Sequence, residues 1–260
     1  MSPDVATDLA DAGAATADRV GPKAATLARL RRAGLPVPEG VCLTAEAYRR
    51  QLALAGLVDT AAQVAAAEAP ARRLALAVRL GLTRAALDPA VEAALDAAWE
   101  RLAGGGAAAL AVRSSALCED AARASFAGQF DTFLGVAEPA DLRTAVRAGW
   151  ASLWSTRALR YMRACDVDPA RTAMPVLLQR MVAAEAAGGA FSLTPDDQLV
   201  LTGTWGLGSA VAQGEVVPDR WLLRRDASVA AVEPGRKEHL VTAAEAGTRW
   251  RAVPRERVEA

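Results

Sequence analysis

An arginine followed by two serines, Arg113-Ser114-Ser115, is the part of this sequence best suited to chemistry. A guanidinium group is a planar fork that can grip a phosphate group with two parallel hydrogen bonds, and hydroxyl groups at a strand end add further hydrogen bonds. A salt bridge from Arg113 to Glu119 or Asp120 would instead use the same side chain for structure alone. Taken by itself, this segment leaves phosphate binding and a salt bridge equally open.

Lys23 is a second candidate for phosphate binding because it follows a glycine and a proline, Gly21-Pro22, at a predicted helix start. The amino end of a helix offers free amide hydrogens and a partial positive charge, and a nearby ammonium group would complete a phosphate site. Only Lys23 and Lys237 are lysines among thirty basic residues, so a lysine at this position is worth examining. The alternative interpretation is a solvated surface lysine.

Two further segments have features that suit a nucleotide. Gly128 lies in Phe-Ala-Gly-Gln, where a glycine permits positive φ and lets backbone amides approach a polyphosphate, although an ordinary hairpin turn is the commoner use. Gln179, Met181 and Val182 end an apolar run, and backbone groups beside apolar side chains would suit adenine. A buried strand followed by a tight turn is the competing interpretation of that run.

Composition excludes several classes of function. Thirty basic residues balance thirty acidic ones, which gives no general attraction to nucleic acid or to an anionic membrane, and no apolar run is long enough to cross a bilayer. The first residues lack the order of a signal peptide, and three widely spaced cysteines favour a reducing compartment, so we expect a cytoplasmic protein. Neither a paired-cysteine zinc motif nor another metal motif is present, and the only histidine, His239, is expected to be solvated or structural.

The first part of the chain is predicted to be mainly helical. Apolar spacing predicts a helix from Pro22 to Ala33, and then a short strand that ends near Thr44, whose hydroxyl can cap the next helix. Residues 61–103 are expected to form helices that break around Gly81 and restart at Asp88-Pro89.

The spacing of apolar residues changes in the last third of the chain. A strand is expected at residues 111–113 and one or two amphipathic helices at 138–164, after which short apolar or alternating runs predict a series of strands. A helix-rich front and a sheet-rich back indicate an α+β fold with two lobes. We place a boundary between residues 1–106, a helical part, and residues 107–260, which carry the Arg-Ser-Ser segment with its candidate phosphate-binding residues and the strands with the candidate adenine-binding residues.

In order along the chain, these segments resemble the nucleotide-binding domain of the phosphoenolpyruvate synthase and pyruvate phosphate dikinase family, which includes rifampin phosphotransferase. The resemblance covers about residues 18–240 and is most specific in VRSSALCEDAARASFAGQFDTFLGV. It continues through these segments: VGPKAATLARLRRAGLPVPEGVCLT, GWASLWSTRALRYM, LLQRMV, GGAFSLTP and TWGLGSAVAQGEVVPDRW.

The resemblance implies an ATP-grasp-like fold, in which two lobes clasp ATP, and assigns roles to individual residues. Lys23 and Arg113 would hold the phosphates, and Gly128 and Thr132 would line the phosphate loop. Gln179, Met181 and Val182 would contact the adenine.

In the family, ATP is split into AMP and phosphate, and a phosphoryl group passes to a carrier histidine on another domain and then to an acceptor such as pyruvate. The family's metal-binding motifs, Asp-Ile-Glu-Trp and Gln-Ser-Arg-Pro, and its carrier-histidine motif do not occur in this sequence. We therefore expect the ligands of Mg²⁺ and the carrier histidine outside this chain, which would be incomplete as an enzyme alone. The alternative is a nucleotide-binding or regulatory module without catalysis.

Overall fold

The computed structural model describes residues 4–11, 16–67, 71–104, 109–119, 130–244 and 247–258. Helices and antiparallel sheets are both present, so the predicted α+β class is confirmed. The chain divides into two compact units, Met1–Met181 and Val182–Ala260.

Twelve elements of the described chain form the first unit. They are β1 (Ala6–Asp8), α1 (Ala17–Arg32), β2 (Gly40–Leu43), α2 (Ala45–Leu54), α3 (Val58–Ala66), α4 (Arg72–Arg84), α5 (Pro89–Ala103), β3 (Leu110–Ser114), β4 (Thr132–Val136), α6 (Pro139–Ser152), α7 (Thr156–Ala164) and β5 (Val176–Arg180). The five strands form one sheet in the order β1-β2-β5-β3-β4, with every neighbouring pair antiparallel.

The two faces of this sheet are covered by different helices. On one face, Cys42 and Leu177 pack with Val20, Ala24 and Ala28 of α1. On the other face, Ser114 lies against α6, where a β-carbon added to Gly149 would be 3.1 Å from the Ser114 Oγ atom. Because side chains alternate along a strand, residues of one sheet separate cleanly into an α1 face and an α6 face.

The largest cluster of the core lies on the α6 face and includes the fully buried Trp150 and Trp154 and the nearly fully buried Tyr48. The indole nitrogens keep hydrogen-bond partners in this apolar surrounding, since Trp154 Nε1 donates to Tyr48 Oη at 2.8 Å and Trp150 Nε1 donates to the Met174 carbonyl at 3.0 Å. Large aromatic side chains with satisfied polar atoms stabilise the packing between sheet and helices.

The predicted cap at Thr44 and the predicted helix start at Asp88-Pro89 are confirmed, whereas the predicted break at Gly81 is wrong. Thr44 Oγ1 accepts from the Ala47 amide, and Asp88 Oδ1 accepts from the Ala90 amide. Helix α4 runs through Gly81 to Arg84. An added β-carbon at Gly81 would lie 2.8 Å from the Leu57 side chain, so the glycine is a site of close packing inside the helix and not its end.

The second unit is built mostly of short strands, as the alternating runs predicted. Its described elements are β6 (Ala186–Phe191), β7 (Leu199–Trp205), α8 (Ser209–Ala212), β8 (Asp219–Leu223), β9 (Val229–Glu233), β10 (His239–Ala243), β11 (Thr248–Ala252) and α9 (Arg255–Val258). Strands β6 to β9 form an antiparallel sheet in chain order, and β10 pairs with β11.

The compact units do not follow the boundary placed at residue 106. Strand β3, which begins just after that position, pairs with β5 in the same sheet as β1 and β2, and this pairing holds residues on both sides of 106 in one unit. The division into a helical part and a phosphate-and-adenine part therefore stays a prediction about function. Within the described residues, no helix is long and apolar enough to cross a membrane.

Candidate functional site

Arg113 lies on the α1 face of the five-stranded sheet, near the end of β3. In the sheet register it is directly opposite Leu177 of β5 on one side and Thr132 of β4 on the other. Leu177 packs beneath α1, whereas Thr132 is exposed. The guanidinium group therefore lies where the apolar cover of α1 gives way to a polar edge of the same face.

The Arg113 side chain is held by Gln179. Its Nη1 atom donates to Gln179 Oε1 at 3.0 Å, and Gln179 Nε2 in turn donates to the Pro38 carbonyl at 3.3 Å. Gln179 is buried and lies two residues beyond Leu177 on β5, opposite Ala111. Burial lowers the pKa of Arg113 from its ordinary value, and the negative charge of Glu119 acts in the opposite direction. An arginine stays protonated in such surroundings, so the pair provides an oriented, partly desolvated positive charge.

Lys23 is brought to the end of β3 by a break in α1. Gly21 has a φ of 78° and a ψ of 159°, so the regular part of the helix begins at Pro22, as predicted. The Lys23 amide, in the first turn of that regular part, donates to Ser115 Oγ at 3.1 Å. A β-carbon on Gly21 would overlap Ser115, and this close approach therefore requires glycine.

The Lys23 ammonium group reaches the same strand end. Its Nζ atom donates to the Ser114 carbonyl at 2.7 Å and forms an ion pair with Glu119. Glu119 is largely buried, and its charge also acts on Arg113. The Glu119 carboxylate thus pairs with Lys23 and acts on Arg113, although these two cations are ninety residues apart in sequence.

Met181 and Val182 follow β5 at the boundary between the compact units. In the first unit, the Met181 amide donates to the Ala109 carbonyl at 2.9 Å, and its Sδ atom accepts from the Gly135 amide at 2.9 Å. Gly135 has a φ of 74° at an irregularity in the pairing of β3 with β4. In the second unit, Val182 is exposed, and its carbonyl accepts from the Ala184 amide.

Some predicted features lie elsewhere or outside the described residues. Gly128 and Asp120 are outside them. His239 lies on β10 with an exposed side chain and makes an edge contact with Trp250, with 6.4 Å between ring centroids. Among the described residues, no group of three or more histidine, cysteine, aspartate or glutamate side chains is arranged to hold a metal ion.

The sequence matches the family model of the pyruvate phosphate dikinase AMP/ATP-binding domain over residues 17–260. The chain belongs to this family. Its described Arg-Ser-Ser strand end and kinked α1 are therefore features of an ATP-binding module of the dikinase type.

Relatives of this dikinase-type module include longer proteins with different names. The chain is 34% identical over 233 residues to a phosphoenolpyruvate synthase of Aeropyrum pernix, covering 84% of this chain and 28% of that protein. It is 37% identical over 259 residues to a rifampicin phosphotransferase of Streptomyces, covering 96% of this chain and 30% of that protein. It is 39% identical over 230 residues to the prodigiosin synthesizing transferase PigC of Serratia marcescens, covering 86% of this chain and 24% of that protein. The chain thus spans less than a third of the length of these relatives.

Sequence reasoning missed two contributors to the site of this family member. Glu119 was weighed only as a partner of Arg113, whereas its carboxylate pairs with Lys23. Gly21 was noted only as part of a turn, although the structure makes it the point of contact between α1 and Ser115. A glycine directly before a proline at a helix start was the one available signal, since it permits the positive φ that such a contact requires.

Proposed function

We propose that this chain is the nucleotide-binding part of a phosphotransferase that converts ATP to AMP and phosphate. Lys23 and Arg113 bind the phosphate groups, and the transferred phosphoryl group passes to a carrier histidine on another domain or chain and then to a small acceptor such as pyruvate. The observation that carries this proposal is the meeting of Lys23, Arg113 and Glu119 at the end of β3. An ATP-grasp-like fold, in which two lobes clasp the nucleotide, is part of the proposal.

The roles of the cations follow from their fixed positions. Arg113 is oriented by Gln179 before a ligand arrives, so little conformational entropy is lost when its free guanidinium hydrogens contact phosphate oxygens. Lys23 is already bound to Glu119, and a phosphate oxygen must replace or share that contact. Positioned positive charge of this kind stabilises the charge that develops on phosphate oxygens during phosphoryl transfer.

Thr132 and Gly128 complete the phosphate side of the proposed site, and Met181 and Val182 its adenine side. The position of Thr132, directly opposite Arg113 in the pairing of β3 with β4, supports its role in phosphate binding. The hydrogen bonds of Gln179 favour a role other than the predicted adenine contact, because its side-chain amide group is already hydrogen-bonded to Arg113 and to the Pro38 carbonyl. We propose that it positions Arg113.

Magnesium, which supplies charge neutralisation in phosphoryl transfer, is not accommodated by a ligand cluster among the described residues. We expect its ligands from other residues. A cytoplasmic location is also part of the proposal, supported by three free cysteines, two of which are buried.

The test is the thermal stabilisation of the chain by ATP. We expect wild-type chain to gain a few degrees in Tm at millimolar ATP, because a ligand that binds only the folded state stabilises it. Lys23→Ala and Arg113→Ala should reduce the gain strongly, since each removes a charged contact to phosphate. The measurement is a melting curve with and without ATP for each variant.

Arg143→Ala is the matched control, because Arg143 lies on α6, across the sheet from Arg113, and pairs with Asp96 and Glu92. The Tm of this variant without ATP can differ from that of the wild-type chain, but we expect ATP to raise it by the same amount. A wild-type chain that gains nothing at millimolar ATP would overturn the nucleotide proposal. Variants at Lys23 and Arg113 that gain as much as wild type would place the phosphate site elsewhere.

A further inference from the structure

A cavity lies in the first unit, between α3, α4, α7 and the segment that follows α7. Its volume is about 390 Å³, which is within the range of small-molecule sites. Val64 and Ala75 are buried in its floor, and Leu159 and Val167 add half-buried apolar walls.

This cavity is separate from the candidate phosphate-binding residues. None of its lining residues belongs to that site. Helix α4 packs against α6, and α6 covers the face of the sheet opposite the one that carries Arg113. A ligand in the cavity would therefore be divided from the proposed nucleotide site by α6 and the sheet.

Three arginines, Arg72, Arg160 and Arg163, lie around the exposed rim of the cavity. Arg163 is partly engaged, since its Nη2 atom donates to the Ala67 carbonyl at 2.9 Å. In the described part of the chain, the guanidinium groups of Arg72 and Arg160 have no recorded hydrogen-bond or ion-pair partner. Two solvated guanidinium groups beside an apolar floor form a site with one charged end and one apolar end.

Two aspartates, Asp166 and Asp168, also border the cavity. The Asp168 carboxylate accepts from the Ala170 amide at 2.8 Å, so it is already used in the turn after α7. Among the described lining residues, the three arginines exceed the two aspartates by one positive charge. This balance favours an anionic group over a cationic one.

We propose that this cavity binds a small amphipathic anion, with its apolar body on Val64 and Ala75 and its acidic group between Arg72 and Arg160. The ligand class is a short apolar chain or ring system with one carboxylate, sulfonate or phosphate. Burial of the apolar body supplies the favourable free energy, and the two guanidinium groups select the charge.

The experiment uses the full chain and the fluorescent probe anilinonaphthalene sulfonate, an aromatic anion, at a temperature well below unfolding. We expect saturable binding that octanoate displaces, whereas octanol and octylamine, of the same chain length, displace it at least about tenfold less well, because hydrogen bonds to charged groups contribute strongly to affinity. Equal displacement by octanoate and octanol would overturn the selection for an anion.

The variants locate the binding. Arg72→Ala combined with Arg160→Ala should weaken octanoate binding about tenfold or more. Arg73→Ala combined with Arg79→Ala is the matched control, since both residues are exposed on α4 and neither lines the cavity. Ala75→Phe, which fills the floor, should abolish probe binding in a chain that still folds.

Unchanged octanoate affinity in the Arg72 and Arg160 double variant would overturn the proposal. So would an equal loss in the Arg73 and Arg79 double variant, because a general effect of charge would then explain the binding. The stabilisation by ATP serves as an independent measurement, and we expect it to be the same in both double variants and in the wild-type chain.

Discussion

Ser115 connects the two phosphate-binding candidates at the scale of single residues. Its hydroxyl group accepts from the Lys23 amide, and its backbone lies so close to Gly21 that no side chain fits between them. The neighbouring Ser114 carbonyl accepts from the Lys23 ammonium group. The position of Lys23 is therefore set by the strand end and by the backbone of α1 together, and not by its own rotamer alone.

Gly21→Ala tests this coupling. At φ 78° and ψ 159° the backbone is in a region essentially restricted to glycine, where a residue with a β-carbon costs about 1–3 kcal/mol. Overlap with Ser115 adds to that cost, so we expect a clear loss in the free energy of unfolding. Displacement of Ser115 should also weaken ATP binding. Gly34→Ala is the control for the backbone term, because Gly34 has a φ of 80° and open space around it. Equal ATP affinity in both variants would contradict the coupling.

Gln179→Ala separates two possible roles of a buried amide. If Gln179 positions Arg113, its loss should weaken the binding of ATP and of inorganic tripolyphosphate alike, because the guanidinium group is released in both cases. Calorimetric titration of the variant with each ligand provides the measurement. A loss confined to ATP would support contact with the adenine instead and would remove the positioning role.

The phosphate roles of Lys23 and Arg113 could be proposed from residue type and from the predicted elements that carry them. Their common partner could not, because the contact of Glu119 with Lys23 spans ninety-six residues and depends on how α1 is laid on the sheet. The alternative interpretation of Arg113 named Glu119 as a salt-bridge partner. The charge of Glu119 acts on Arg113, but its ion pair is with Lys23, which that interpretation gave no reason to expect.

At the scale of elements, caps and periodicity were reliable local signals. Thr44 and Asp88 cap helices because their side chains satisfy the free amides of a first turn wherever the helix lies. The prediction at Gly81 was wrong because a glycine often ends a helix. Here its missing side chain instead lets Leu57 pack closely against a continuous helix. The order of the five strands, with β5 between β2 and β3, depends on long-range pairing that no local pattern encodes.

In the second unit, an ion pair between Lys237 and Asp219 fixes the start of β8. Both residues are buried, and the second oxygen of Asp219 accepts from the Gly235 amide at 2.8 Å. Gly235 itself packs against the Pro218 backbone too closely for a side chain. The pair thereby ties the segment before β10 to the segment that enters the four-stranded sheet.

We expect Lys237→Met to destabilise the chain by about 3–5 kcal/mol, because it leaves the buried Asp219 carboxylate without its countercharge. Combining it with Asp219→Leu should recover much of that loss, since no uncompensated charge then remains. Denaturant unfolding of the three variants measures the difference. A double variant no more stable than Lys237→Met alone would show that the ion pair is not the source of the effect.

At the scale of the whole molecule, the chain matches relatives of which it covers 24–30%. Its described residues bring two cations together near a strand end but provide no metal-ligand cluster. Binding of ATP and its turnover therefore make different demands on this chain. In our proposal, affinity depends on Lys23 and Arg113 of this chain, whereas phosphoryl transfer depends on metal and carrier groups that we expect elsewhere.

Incubation with magnesium and ATP tests this separation. We expect the chain alone to bind ATP and release little AMP, and to form AMP and phosphate once a protein carrying the missing motifs is added. Chromatography of the nucleotides, with phosphate measured in parallel, gives the result. Rapid AMP formation by the chain alone would refute the expectation. The Arg113→Ala variant should lose activity in the mixture, which would show that the activity comes from this chain.

The near absence of lysine has a practical consequence. Of the two lysine side chains, that of Lys237 is 5% exposed and that of Lys23 is 32% exposed. An acylating reagent applied to the folded chain therefore meets one partly accessible lysine side chain, which contacts the carbonyl of Ser114, the residue after Arg113. A spectroscopic label can be attached next to the candidate phosphate-binding residues without introducing a cysteine or removing a competing amine from another side chain.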